Sequence, residues 1–215
     1  MMFSVPDLKA DISSVQYQDK MVCIMSRNSR GSSSSKLSFM SKLVSKEIAG
    51  DKDVILINQE NFLLKANTYK LLQAIPSHQF IFNPAVKITQ HKGRPLNGML
   101  IYVPEHLKKI VTDVSPGHWR VQAVMINNSN KKTLLFNVYC PVDKNVNIFN
   151  IDTVDINDDI SETISVIEKV IDDNDCDAVI IAGDLNCNFS KNTKHTHKTK
   201  NMMFDNNLEI RVGKV

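Results

Sequence analysis

The sequence has few of the features that would staple, anchor or export a protein. Its four cysteines, Cys23, Cys140, Cys176 and Cys187, lie far apart, and no two form a Cys-x-x-Cys pair. That spacing argues against a zinc site or a disulfide framework and favours reduced thiols in an intracellular setting, nuclear or cytoplasmic. No apolar run approaches the ~20 residues that a bilayer span needs, so no membrane partner is expected. The N-terminus shows no basic segment followed by an apolar stretch, and it does not read as a secretory leader. Neither sign of charge dominates: 26 Lys and Arg stand against 23 Asp and Glu, a formal net charge of +3. Such a balance permits a polyanionic partner without requiring one. There is no internal repeat, and no segment marks a second domain. The single tryptophan, Trp119, reads as a residue of a sheet core.

What is present describes an ordinary globular chain. Its 215 residues are 42% hydrophobic and 23% charged, enough to bury one sizeable core. Residues 1–20 are polar and weakly patterned, a tail leading into one domain over residues 21–215. Met21 to Met25 reads as a first strand. Leu37, Met40, Leu43, Val44 and Ile48 then recur at helical spacing after a serine run, predicting a helix from Ser35 to Ala49. A second strand, Asp53 to Asn58, completes a β-α-β unit. From Gln79 to Tyr139 five strand-like runs follow one another with short polar turns, as in an antiparallel meander. Asp155 to Asp172 returns to helical spacing, with Ile156, Ile160, Ile164, Ile167 and Ile171 on one face. Lys191 to Lys200 reads as a basic loop. Strands in this order with helices outside imply an α/β sandwich.

Two short runs carry the chemistry. Ala178-Val179-Ile180-Ile181-Ala182 ends in Gly183-Asp184-Leu185-Asn186, and Asp53-Val54-Ile55-Leu56-Ile57-Asn58 ends in Gln59-Glu60. Each is a buried strand delivering a carboxylate to the carboxyl edge of a sheet, where α/β proteins place their sites. Two such carboxylates suit a hard divalent cation such as Mg2+, which takes oxygen ligands.

The ordered set Asn28, Gln59-Glu60, Asn137-Val138-Tyr139-Cys140-Pro141 and Gly183-Asp184-Leu185-Asn186 resembles the endonuclease/exonuclease/phosphatase superfamily. Ser26-Arg27-Asn28-Ser29-Arg30-Gly31, Gly93-Arg94-Pro95-Leu96-Asn97-Gly98 and Phe204-Asp205-Asn206-Asn207-Leu208 are most similar to the endonuclease domain of non-LTR retrotransposons. The resemblance covers about Met21 to Glu209. It implies two mixed sheets flanked by helices, and hydrolysis of phosphodiester or phosphomonoester bonds with Mg2+, or Mn2+ in its place. DNA is the implied partner, and no obligate protein partner follows.

Residue by residue, the resemblance implies Glu60 as a direct metal ligand, with the Asn28 amide oriented towards the metal's water shell. Asp184 would orient the attacking water, Asn186 would hydrogen-bond the scissile phosphate, and Tyr139 would donate to a phosphate oxygen. Arg94 is a candidate phosphate contact, and Lys191, Lys194 and Lys198 would track a DNA backbone. Plainer roles remain open for each: a loop glutamate, a turn asparagine, an Asx-turn closing a strand, a half-buried aromatic, a turn arginine and a solvated basic loop. His195 and His197 lack a third ligand at metal-site spacing.

The resemblance also departs from the chain at one point. Members of the superfamily continue with further strands and end in a Ser-Asp-His-like motif, whereas this sequence stops at Val215. None of its six histidines matches that catalytic histidine. The expectation is therefore a domain without its last strands, with two further readings beside the endonuclease. One is a non-catalytic nucleic-acid-binding remnant; the other is a phosphatase of the same fold.

Overall fold

The computed structural model describes residues 11–17, 20–31, 33, 36–38, 41–42, 53–74, 78–85, 95, 97–128, 131–140 and 156–209. In chain order the elements are β1 (Asp11–Tyr17), β2 (Lys20–Asn28), β3 (Asp53–Gln59), α1 (Tyr69–Ala74), β4 (His78–Asn83) and β5 (Met99–Pro104). They continue with β6 (Val111–Asp113), β7 (Val121–Asn128), β8 (Lys131–Tyr139), α2 (Ile156–Asp172), β9 (Ala178–Asp184) and α3 (Lys194–Asp205). A five-stranded sheet has the order β1-β2-β3-β5-β4, and a four-stranded sheet the order β6-β7-β8-β9. Both are mixed. β2 and β3 run parallel in the first, and β8 and β9 run parallel in the second. The remaining neighbours pair antiparallel. This is the expected α/β sandwich of two mixed sheets with flanking helices.

Strand periodicity assigns the layers. Successive side chains leave a strand on opposite faces, so a run apolar at every position must bury both. Val22 and Ile24, Ile55 and Ile57, Ile101 and Val103 of the larger sheet meet Val124, Ile126, Leu135 and Ala182 of the smaller one in the layer between the sheets. The alternate residues Cys23, Met25, Val54, Leu56, Leu100 and Tyr102 face outward and pack with Leu37, Leu63 and Leu71. On the far side, Val121, Ala123, Met125, Leu134, Phe136 and Val138 pack against Ile160, Ile164, Ile167 and Val170 of α2 and Met202 of α3. Of the predicted α2 face, Ile160, Ile164, Ile167 and Ile171 thus pack against the sheet, and the Ile156 side chain lies outside the described residues. No disulfide joins any of the four cysteines. Among the described residues, no helix is long and apolar enough to cross a membrane.

Four local readings are corrected. Residues 11–17 are not a loose lead-in: they form β1, paired antiparallel with β2 from Asp11↔Ser26 to Tyr17↔Lys20. A strand at a sheet edge needs only backbone pairing, so it can carry the polar sequence that suggested a tail. The stretch from Gln79 to Tyr139 is not one meander: β4 and β5 belong to the larger sheet, while β6, β7 and β8 start the smaller. The basic tract 191–200 is a loop only at its start; from Lys194 it is the first part of α3. Thr193 caps that helix through its side chain, accepting from the Thr196 N–H at 3.2 Å. Trp119 is half-buried in the turn before β7 rather than packed in the sheet core. Of the helix predicted over 35–49, residues 36–38 and 41–42 are helical and the rest lie outside the described residues.

Candidate active site

The same periodicity that builds the layer between the sheets carries it to one edge. On β2, the inward positions Val22, Ile24 and Ser26 lead to Asn28. On β9, Ile180 and Ala182 lead to Asp184, and on β8, Leu135 and Asn137 lead to Tyr139. β3 ends at Gln59, one residue before Glu60. The parallel register sets Asn28 beside Gln59 and Tyr139 beside Asp184. The carboxyl ends of four strands therefore arrive together.

Hydrogen bonds join the two sheets there. Asn28 Nδ2 donates to Asp184 Oδ2 at 2.6 Å, and the Tyr139 phenol donates to Glu60 Oε1 at 2.7 Å. Each bond links a residue of the larger sheet to one of the smaller. The Asn186 N–H donates to Asp184 Oδ1 at 3.1 Å, and Asn186 Nδ2 donates to the Cys140 carbonyl at 2.7 Å. Asn28 Oδ1 accepts from the Arg30 N–H at 3.1 Å, and the Gly31 N–H donates to the Glu60 carbonyl at 2.6 Å. Asn28 and Asp184 thus each close an Asx-turn, as the plainer reading has it, and each faces the other.

The backbone around the site is strained. Glu60 (φ 51), Arg30 (φ 45) and Asn186 (φ 46) occupy the left-handed region that side chains other than glycine enter rarely. Such conformations persist where the surrounding structure imposes them, and they collect at functional sites. Gly183 (φ 133) is needed for a different reason. A Cβ there would collide with the Val138 carbonyl, so only glycine allows β9 to run this close to β8.

Charge at the site is unbalanced. Burial pushes the Asp184 carboxyl above the ordinary carboxylate range; the Asn28 amide and the Asn186 N–H pull it back, the Glu60 charge raises it again, and the Arg30 charge lowers it. Burial, and then the neighbouring Glu60 carboxylate, push the Tyr139 phenol well above its ordinary value. Tyr139 therefore keeps its proton and can act only as a donor or neutral acceptor near neutral pH. Among the described residues no cationic side chain forms an ion pair with Glu60 or Asp184. Two mutually repelling carboxylates with a neutral amide beside them fit a hard cation, whose charge would relieve the repulsion. Among the described residues, no group of three or more His, Cys, Asp or Glu is placed to hold a metal ion.

Behind the site lies a seam of buried amides that the sequence reading passed over. Asn137 is fully buried, and its Nδ2 lies 2.9 Å from Gln122 Oε1 and 3.2 Å from both the Asn58 and Leu100 carbonyls. Gln59 Nε2 donates to Asn137 Oδ1 at 2.6 Å and reaches Ser26 Oγ at 3.3 Å. Asn137 and Gln59 stood in the quoted motifs only as neighbours of Tyr139 and Glu60. Their signal was an amide at an inward position of an otherwise apolar strand, which has to find partners when buried.

The predicted substrate contacts fare differently. Lys191 and Lys194 are exposed, and no hydrogen bond ties them to the site. Lys198 donates to Ser161 Oγ on α2. Arg94 lies outside the described residues. The hydrogen-bond partners of Asn28, Glu60, Tyr139, Asp184 and Asn186 among the described residues include no histidine.

Solved structures share this architecture. The endonuclease domain of TRAS1, a telomere-specific non-LTR retrotransposon, superimposes with a TM-score of 0.56 at 10% identity, over 85% of this chain and 70% of that one. The AP endonuclease LMAP from Leishmania major gives 0.55 at 12% identity, over 84% of this chain and 65% of that one. An endonuclease/exonuclease/phosphatase family protein from Leptotrichia buccalis gives 0.52 at 11%, over 83% and 72%. The chain has the endonuclease/exonuclease/phosphatase fold. No protein-family model and no curated protein matches the sequence. At such identities the likeness concerns the endonuclease/exonuclease/phosphatase fold, and chemistry must come from the site.

Proposed function

We propose that this chain is a Mg2+-dependent phosphodiester hydrolase acting on DNA, of the retrotransposon-endonuclease type. The observation that carries this reading is the convergence of Asn28, Glu60, Tyr139 and Asp184, bonded in pairs across the two sheets at one edge. Glu60 and Asp184 would hold the cation, with the Asn28 carbonyl oxygen near its water shell. Bound there, Mg2+ supplies charge neutralisation on the phosphate oxygens, and Mn2+ would serve the same purpose.

The chain's own groups do the rest. Asp184, held by Asn28 and the Asn186 N–H, is aimed to accept a hydrogen bond from the attacking water and orient it. Asn186 spends one Nδ2 hydrogen on the Cys140 carbonyl, which leaves its second to meet a phosphate oxygen. Tyr139 has a single phenolic hydrogen, now on Glu60; it can hold that carboxylate or turn to the phosphate as negative charge develops there. Lys191 and Lys194, exposed and positive, suit contact with the nucleic-acid backbone.

Nicking of supercoiled plasmid by this chain with Mg2+ tests the reading, with EDTA and Glu60→Ala as controls. Nicking that needs both the metal and Glu60 is the expected result. A second reading is a domain that binds nucleic acid without cutting it. Folded protein that retains DNA but leaves the plasmid intact would favour that reading. Release of phosphate from a monoester, with the plasmid uncut, would instead indicate a phosphatase.

A further inference from the structure

The residue opposite Tyr139 across the β7–β8 pair is Arg120, which immediately precedes β7. The register Val121↔Val138 places the two side by side, and the Tyr139 N–H donates to the Arg120 carbonyl at 3.0 Å. By strand parity Arg120 shares the inward face of Gln122, Val124 and Ile126. Its side chain is accordingly only 9% exposed, unusual for an arginine. The guanidinium lies between two aromatic rings, 3.9 Å from the centre of Trp119 and 5.5 Å from the centre of Tyr139. Its Nη1 also reaches the Tyr139 carbonyl at 3.4 Å. Tyr139 is thus met by Arg120 at its backbone N–H, its backbone carbonyl and its ring.

The turn that carries this arginine is tied to the other half of the pair as well. The Trp119 carbonyl accepts from Asn97 Nδ2. The Asn97 carbonyl in turn accepts from the Phe62 N–H, and the Gly98 carbonyl from the Asn61 N–H, each at 3.0 Å. Asn61 and Phe62 directly follow Glu60, and Phe62 (φ 56) shares its left-handed conformation. One turn, Trp119-Arg120, therefore braces the Tyr139 phenol on one side and the Glu60 loop on the other. A planar cation stacked on aromatic faces suits this task, because it fixes ring orientation as well as position.

We infer that Arg120 is a positioning residue: clamped on Trp119, it holds the Tyr139 ring so that its phenol meets the Glu60 carboxylate. It acts through Tyr139. The inference rests on the hydrolase reading above for its kinetic consequence, and on packing alone for its structural one.

The test is a double-mutant cycle on Mg2+-dependent plasmid nicking with wild type, Arg120→Met, Arg120→Lys, Tyr139→Phe and the Arg120→Met/Tyr139→Phe double variant. Arg120→Met should lower kcat about 10-fold or more with KM little changed, the cost of a misplaced group. Arg120→Lys keeps the charge without the planar stack and should recover only part of that loss. The double variant should be no slower than the slower single one, because both changes remove the same aimed phenol. Losses that multiply, or a loss confined to KM, would overturn the inference in favour of an independent or substrate-binding arginine.

Trp119 is the only tryptophan, so its emission reports the clamp without any activity. Emission should shift in Arg120→Met, and thermal melts of the singles and the double should show the same non-additivity. Unchanged emission with additive melts would overturn the clamp. Wild-type protein that never nicks, yet passes both packing checks, would instead refute the hydrolase reading and leave the clamp standing.

Discussion

The Tyr139 phenol and the Glu60 carboxylate meet at 2.7 Å, one from the end of β8 and the other from the loop after β3. The bond spans the gap between the sheets, so the geometry of the site depends on how the two sheets sit against each other. Glu60→Gln keeps an acceptor for the phenol while removing the charge. It should fold with a melting temperature near wild type and lose about 10²-fold or more in metal-dependent nicking, if Glu60 serves as a metal ligand. Full activity in that variant would remove Glu60 from the metal site.

The amide seam behind the pair should matter for stability. Asn137→Leu leaves Gln59 Nε2, Gln122 Oε1 and two backbone carbonyls short of a buried partner. Gln59 Nε2 keeps Ser26 Oγ, so not all four are left wholly unmet, and each buried group that is costs about 1–3 kcal/mol. Denaturant titration should show a loss of about 2–4 kcal/mol with little change in slope. A loss under ~1 kcal/mol would mean that the seam reorganises or takes up water.

Gly183→Ala sets a Cβ against the Val138 carbonyl at a φ of 133. The strand cannot yield without moving Asp184, which directly follows. Reduced melting temperature together with loss of nicking is expected, checked by melting curves and the plasmid assay. A stable, active alanine variant would show that β9 can shift without disturbing Asp184.

Glu168 on α2 supplies a pH test away from the site. Partial burial, then the charges of Asp205 and Asp172, raise its carboxyl above the ordinary value. The folded chain then holds this proton to higher pH than the unfolded chain does. Stability falls as pH rises through the window between the ordinary and the raised values, and the penalty is complete at neutral pH. Glu168→Gln should therefore melt higher than wild type at neutral pH. The advantage should shrink as pH falls through that window and be gone below roughly pH 4, where the unfolded carboxylate also gains its proton. A gain that is independent of pH would mean that burial and charge are not its cause.

Thr193 caps α3, and Thr193→Ala removes the acceptor for the Thr196 N–H. A loss of about 1 kcal/mol in denaturant titration is expected. No loss would indicate that the helix starts later or is held by its buried face alone.

Much of the fold could be read along the chain because strand periodicity is local. The runs Val54 to Ile57 and Val179 to Ala182 mark buried strands wherever they pair. The same alternation predicts that Asn28, Tyr139 and Asp184 leave their strands on the faces of Val22, Leu135 and Ile180. Helical spacing in α2 was equally visible. By contrast, the Lys191 to Lys200 tract looked like a loop because its composition is polar. It becomes helical where His195, Thr196, Thr199 and Met202 are covered by the rest of the protein. Trp119 looked like a core residue from its size, but it lies half-buried in a turn against the Arg120 guanidinium.

What the sequence determined by itself was the apolar strands, β1 excepted, and the face on which each functional side chain stands, since a two-residue period needs no distant partner. Tertiary structure alone decided that Glu60 meets Tyr139, that Asn28 meets Asp184, and that Asn137 closes the seam behind them. Those contacts join residues 78 to 156 positions apart, as the numbering of each pair shows. Nothing local specifies them; they exist because two sheets must bury their apolar faces against each other, and their polar ends then come together at the shared edge.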